Sequence, residues 1–164
     1  MSTPPSLIPA PSWPYCGQGA DASEPHGCRG RRVRHYAECF AHLADADRNA
    51  YLTSLGPGDA IDHRGTSFTA ALLTSLLDAL GDPSARVPCL GTALFESAQF
   101  SENVNFNSVR FDGFATFNKA HFEENVRFVD CRFATFVHFG EARFSGHAAF
   151  ADSQFSEVVS FDNA

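Results

Sequence analysis

Four side chains near the start of the chain have the makings of a metal centre: the thiols of Cys16, Cys28 and Cys39 and the imidazole of His42, spaced C-x11-C-x10-C-x2-H. Three thiolates and one imidazole are a tetrahedral donor set that structural zinc uses, and metal closure supplies folding energy to a loop that lacks a core. Residues 15–35 (YCGQGADASEPHGCRGRRVRH) are such a loop, rich in Gly, Pro and polar groups and without an apolar face. The spacing matches no compact zinc-finger template. A second reading therefore stands beside the first, with Cys39 a small buried hydrophobe and the others ordinary loop thiols. His26 and His35 are alternatives to His42 as the fourth ligand.

One helix is expected to position part of this set, and a second follows it. From Tyr36 to Leu55 the apolar residues Tyr36, Phe40, Leu43, Tyr51, Leu52 and Leu55 follow helical spacing, which would place Cys39 and His42 on one face. Gly56-Pro57-Gly58 ends that helix. A second begins after a cap at Thr66 or Ser67 and carries Phe68, Leu72, Leu73, Leu76, Leu77 and Leu80 on one face before Gly81-Asp82-Pro83. Ahead of them, residues 1–14 hold five prolines and no periodicity, the signature of a disordered arm, with the Trp13 ring expected to pack on the following segment. Arg29, Arg31, Arg32 and Arg34 form the one basic run, read as a solvated loop or as ion-pair partners for the acidic remainder.

The remainder is a repeat. Seventeen of the 21 aromatic residues are Phe, and thirteen of them recur in steps of alternately five and six: Phe95, Phe100, Phe106, Phe111, Phe117, Phe122, Phe128, Phe133, Phe139, Phe144, Phe150, Phe155 and Phe161. A small or modest side chain stands two residues before each, as in Ala98, Val109, Ala120 and Cys131. Five plus six, taken twice, makes a coil of about 22 residues, with four internal Phe ladders. The extra residue of each six-step falls three before every second Phe. It forms two columns at that period, Asn103, Asn125 and His147 on one side and Phe114, Phe136 and Val158 on the other. Phe114 and Phe136 are candidate contact residues, with inward rotation to fill the core as the competing arrangement. An open coil end would expose unpaired strand edges, so the second helix is expected to lie across the N-terminal end of the stack as a cap.

The A-x-F-x-x and V-x-F-x-x units, such as Ala98-Gln99-Phe100 and Ala120-His121-Phe122, resemble those of the pentapeptide-repeat proteins from about Pro88 to Ala164. The resemblance implies a mainly β fold, a right-handed quadrilateral β-helix, with a small α-helical head. The expected division is an arm at 1–14, a Cys/His-containing head at 15–83 and the β-helix at 84–164. Trp13 to Cys16 (W-P-x-C), Cys28 to Gly30 (C-x-G), Cys39 to Leu43 (C-x-x-H-L) and Asp62 to Thr66 (D-x-R-G-T) also resemble the head segment of bacterial members of unassigned function.

The charge of -7 argues against direct nucleic-acid binding, which Lys and Arg lead. The lack of a charged n-region with an apolar h-region, of a long apolar run, and of a paired cysteine framework points to a cytoplasmic protein without a membrane segment. G-x-S-x-G, H-E-x-x-H and the phosphate-binding G-x-x-x-x-G-K-[ST] are all missing, and a square rod offers flat faces, so no enzyme is expected. Three functions compete. The first is a protein-binding scaffold for a protein partner that the sequence does not name, with structural zinc in its head. The second, implied by the resemblance, is a DNA-mimic inhibitor or protector of a DNA topoisomerase. The third is a metal-dependent enzyme or sensor. The terminal Phe161 to Ala164 stretch carries no capping helix, which leaves an end-to-end homodimer as a further expectation.

Overall fold

A computed structural model describes residues 8–164; the first seven residues of the expected arm lie outside it. From residue 93 on, two-residue strands succeed one another around four faces, and each pairs in parallel with the strand one coil away; ahead of them Gly81–Asp82 pairs antiparallel with Val87–Leu90 at a sheet edge. The registers advance by twenty-two residues: Ala93 to Ala115, Gln99 to His121, Val104 to Val126 and Arg110 to Arg132. The chain is thus a four-sided β-solenoid of about three full turns, the coil length expected from alternating steps of five and six.

From residue 93 on, each strand ends on a ladder Phe or on the residue before one, and the rings turn inward. Successive coils stack them face to face, with Phe95, Phe117, Phe139 and Phe161 at centroid separations of 5.2, 5.0 and 4.9 Å. The other ladders follow suit, as with Phe100 on Phe122 at 4.7 Å, Phe106 on Phe128 at 4.8 Å and Phe111 on Phe133 at 4.6 Å. Neighbouring ladders meet edge to face, for example Phe117 against Phe128 at 80°. Both geometries are favoured by the ring quadrupole, so the interior is a lattice of rings. Between them sit the small side chains, including Ala98, Val109, Ala120 and Cys131, all buried.

The hydrogen-bonded ladders reach back past residue 84. Ile61–Asp62 pairs with Ala93–Leu94, and Ser67–Phe68 with Gln99–Phe100, so Phe68 stacks on Phe100 at 5.3 Å as the first ring of its ladder. This early coil lacks its third strand. In that place stands the helix α2 (Ala70–Ala79), which buries Leu73, Leu76 and Leu77 and packs beside Val104–Asn105, the strand that begins the third face. The expected cap is therefore built into the coil as a substitute for one of its sides. Its N-cap is Thr69, whose hydroxyl accepts from Leu72 N, rather than Thr66 or Ser67, because both of those are taken up by the strand and its approach.

The first helix is also shorter than the apolar spacing suggested. Helix α1 covers Asp45–Ser54, and residues 36–44 form turns. A tight turn serves the cysteine better than a helix here: the amides of His42 and Leu43 both donate to Cys39 O, at 2.9 and 3.1 Å. Phe40 and Leu43 still reach the common core, where Phe40 meets Phe68 at 6.1 Å.

Candidate functional site

Residues 15–18 and 28–31 run antiparallel, with Cys16 N donating to Gly30 O at 2.8 Å, Gly17 N to Cys28 O at 2.8 Å and Cys28 N to Gln18 O at 2.9 Å. That pairing sets Cys16 beside Cys28. A second antiparallel bridge, Arg32 with Cys39, brings in the turn that carries Cys39 and His42. The donor atoms of Cys16, Cys28, Cys39 and His42 all lie within 4.8 Å of one another, close enough to hold a metal ion. His42 Nδ1 is 3.5 Å from both Cys16 Sγ and Cys39 Sγ, and the sulfurs of Cys28 and Cys39 are 3.7 Å apart. His26 stands apart, edge-on to Tyr15, and His35 occupies a left-handed turn outside the cluster.

The surroundings of Cys28 suit anionic sulfur. Gly30 N donates to Cys28 Sγ at 3.4 Å, and that bond, with the thiol of Cys39 as the larger influence, draws the Cys28 pKa down to about 5. Cys39 moves the other way, because it supplies the proton to Cys28 and is buried. Gly30 itself is buried against the cluster: a Cβ there would lie 2.8 Å from Cys39 Sγ. Only the residue without a side chain fits.

Trp13 behaves as a packing residue. Its Nε1 donates to Arg29 O at 2.9 Å, and the Arg64 guanidinium lies 5.0 Å from the ring centroid. Within the basic run, Arg31 pairs with Asp62 at 2.6 Å and the Nε of Arg32 donates to Tyr15 O at 2.8 Å. These arginines stitch the loop to itself and to the first coil.

On the solenoid the two inserted columns both face outward. Asn103 Oδ1 accepts from Asn125 N at 3.2 Å, and Asn125 Oδ1 from His147 N at 2.8 Å, a polar ladder from coil to coil. On the opposite side Phe114 is half-buried with its ring edge-on to His138, while Phe136 is 47% and Val158 58% exposed. The outward residue immediately before each ladder Phe is never acidic; it is Arg at 110, 127, 132 and 143 and His at 121 and 138. Carboxylates such as Asp112, Glu124 and Asp130 stand instead at the corners. That segregation was readable in the sequence once the Phe register was known.

His63 was not singled out by any motif. It is completely buried, and continuing the register of Ile61 with Ala93 sets it where the next coil has Phe95. Its Nε2 lies 3.1 Å from the Tyr51 hydroxyl, and burial lowers its pKa to about 4. The Tyr51 phenol is raised by burial. No helix among the described residues is long and apolar enough to cross a membrane.

A four-sided solenoid with this ring lattice defines a class of protein, and the family comparison agrees. The model of the family described as pentapeptide repeats, nine copies, matches residues 89–139 and 117–164. The repeat region of the chain belongs to the pentapeptide-repeat family. No curated protein and no solved structure matches the chain.

Proposed function

We propose that the chain is a non-catalytic, protein-binding scaffold: a rigid repeat rod whose head is tied by a structural zinc ion. The observation that carries the binding role is the Phe136–Val158 corner, an apolar column left exposed beside the fully buried Val137 and Phe139. Arg132 precedes that corner on one face and His138 follows it on the next, so it suits a partner with an apolar anchor and acidic neighbours. A photo-crosslinking residue at position 136 is expected to trap one discrete protein from the native host extract. Phe136→Asp, with unchanged thermal stability, is expected to abolish its recovery. Equal recovery by the variant would defeat the reading.

Zinc is supported by distances and donors together. A tetrahedral zinc with Zn–S of about 2.3 Å and Zn–N of about 2.0 Å has S···S edges of about 3.8 Å and S···N edges of about 3.5 Å. The 3.7 Å Cys28–Cys39 and 3.5 Å Cys–His42 separations match those edges. Four protein donors leave no open position for a substrate, which favours structural over catalytic metal. One zinc per chain, lost in Cys39→Ser, is the expected result of metal analysis. The topoisomerase reading finds little support, because a duplex mimic needs carboxylates along a face and the outward strand positions carry arginine and histidine.

A further inference from the structure

An open cleft of about 840 Å3 lies between the arginine-rich strand of the head and α1. Arg31, Arg32 and Arg34 line one side; Ala50, Tyr51 and Leu55 line the other. That volume is typical of sites that enclose small molecules, and the mixture of an apolar wall with a few convergent polar groups is typical as well.

The charge in the cleft is one-sided. Asp62 is the one carboxylate on its lining, and it is doubly neutralised, by Arg31 at 2.6 Å and by Arg64 at 2.8 Å. Arg32 uses its Nε on Tyr15 O, which leaves the end of its guanidinium to solvent. Arg34 is exposed and, among the described residues, has no acidic partner. A chain with a net charge of -7 thus gathers unspent positive charge at the mouth of a cavity. At the base, His63 is completely buried, its Nδ1 has no hydrogen-bond partner among the described residues, and its Nε2 meets the Tyr51 hydroxyl.

We propose that this cleft binds a small organic anion, a phosphate or carboxylate carried on a flat apolar ring. The anionic group sits on Arg32 and Arg34, whose guanidinium forks match phosphate and carboxylate oxygens, and the ring lies against Tyr51 and Leu55. The site is separate from the Phe136 corner, so loss of either leaves the other standing.

The test uses the full chain with its metal bound and four probes: phenyl phosphate, benzoate, inorganic phosphate and phenol. Amide NMR titration reads location, and calorimetry reads affinity. Phenyl phosphate or benzoate is expected to saturate and to move the amides of residues 33–36 and 50–55. Inorganic phosphate and phenol, which each lack one half of the ligand, are expected to bind at least about tenfold more weakly, as is the better ring anion to Arg32→Gln/Arg34→Gln. The preferred anion, phosphate or carboxylate, names the source. Thermal unfolding and zinc content verify that the variant is intact, and Arg34→Glu alone, at an exposed position, repeats the test should the double variant lose its fold. Shifts elsewhere in the chain, no saturation by either ring anion, affinity unchanged in the intact variants, or inorganic phosphate binding as tightly as phenyl phosphate would overturn the proposal.

Discussion

Residues 15–43 and residues 93–161 hold their backbones by opposite means. The repeat fills its interior with stacked rings and pairs each strand with the coil above and below, so every unit resembles its neighbour. The head loop has a few antiparallel hydrogen bonds, a packed Trp13, three side chains lent to the common core (Val33, Phe40 and Leu43) and a cluster of four candidate metal donors. Burial supports the first region throughout, whereas in the second it reaches only Val33, Cys39, Phe40 and Leu43, and the proposed zinc would tie the remainder. The difference shows how one short chain can spend its apolar residues in one place and still order a polar loop in another.

The largest expected effect separates the two regions outright. If the proposed zinc is bound, Cys39→Ser removes one of its ligands and chelation removes the ion itself, from a loop with little core of its own; such an ion contributes on the order of 10 kcal/mol in small domains. Limited proteolysis is expected to cut within residues 15–43 while residues 93–161 stay resistant and the β-sheet circular dichroism persists. Simultaneous loss of both would mean that the head and the rod are one cooperative unit.

The second prediction lies at the junction, where His63 takes a Phe position in the first coil. An unfolded histidine gains its proton near pH 6.5, but this one does so only near pH 4. Between those values the unfolded state binds more protons, so stability is full above pH 6.5 and falls as pH is lowered towards 4. At 1.36 kcal/mol per unit of pKa, the loss reaches about 3 kcal/mol. His63→Phe is expected to cost about 1 kcal/mol at pH 7, for the unpaired Tyr51 hydroxyl, and to lose about 3 kcal/mol less than the wild type across that window. Acid release of the proposed zinc would affect both proteins and cancel in the difference. Denaturant titrations at pH 7, 6, 5 and 4 measure it, and parallel curves would show that His63 is not the titrating group.

The repeat was legible because its signal is redundant. Thirteen rings in steps of five and six leave one coil length, and the inserted columns repeat it independently. The metal set was legible as residue types, but its geometry was not, because the turn at Cys39–His42 is made by backbone bonds that apolar spacing does not report. Helical periodicity over residues 36–55 came from core contacts of Phe40 and Leu43, which a turn can also make. The entry of residues 61–68 into the first coil was hidden because α2 interrupts the period that identifies the other coils. The cleft depends on residues from distant segments that no motif unites.

The smallest effect concerns a distinction inside the rod itself. Corners passed in a five-residue step hold one residue at positive φ, two after the ladder Phe, at Ser97, Ser108, Lys119, Asp130, Glu141 and Asp152, and Asn163 stands in the same place after Phe161. Corners passed in a six-residue step hold the extra residue instead, and none of the positive values falls there. The inserted residue gives the wider corner enough chain to turn without a left-handed kink. The same substitution should therefore act with opposite sign at the two kinds of corner. At Lys119, with φ 57°, glycine relieves about 1–2 kcal/mol of Cβ strain. It adds about 0.5–1 kcal/mol of unfolded-state entropy, so Lys119→Gly is expected to stabilise by about 0.5–1 kcal/mol. The nearby Glu141 carboxylate, 3.9 Å away and exposed, contributes little to offset this. At Asn125 no such strain exists, and Asn125→Gly removes the oxygen that holds His147 N, for an expected loss of about 1 kcal/mol. Urea unfolding midpoints of the two variants decide the matter: shifts of the same sign would mean that the corners are not distinguished by their backbone.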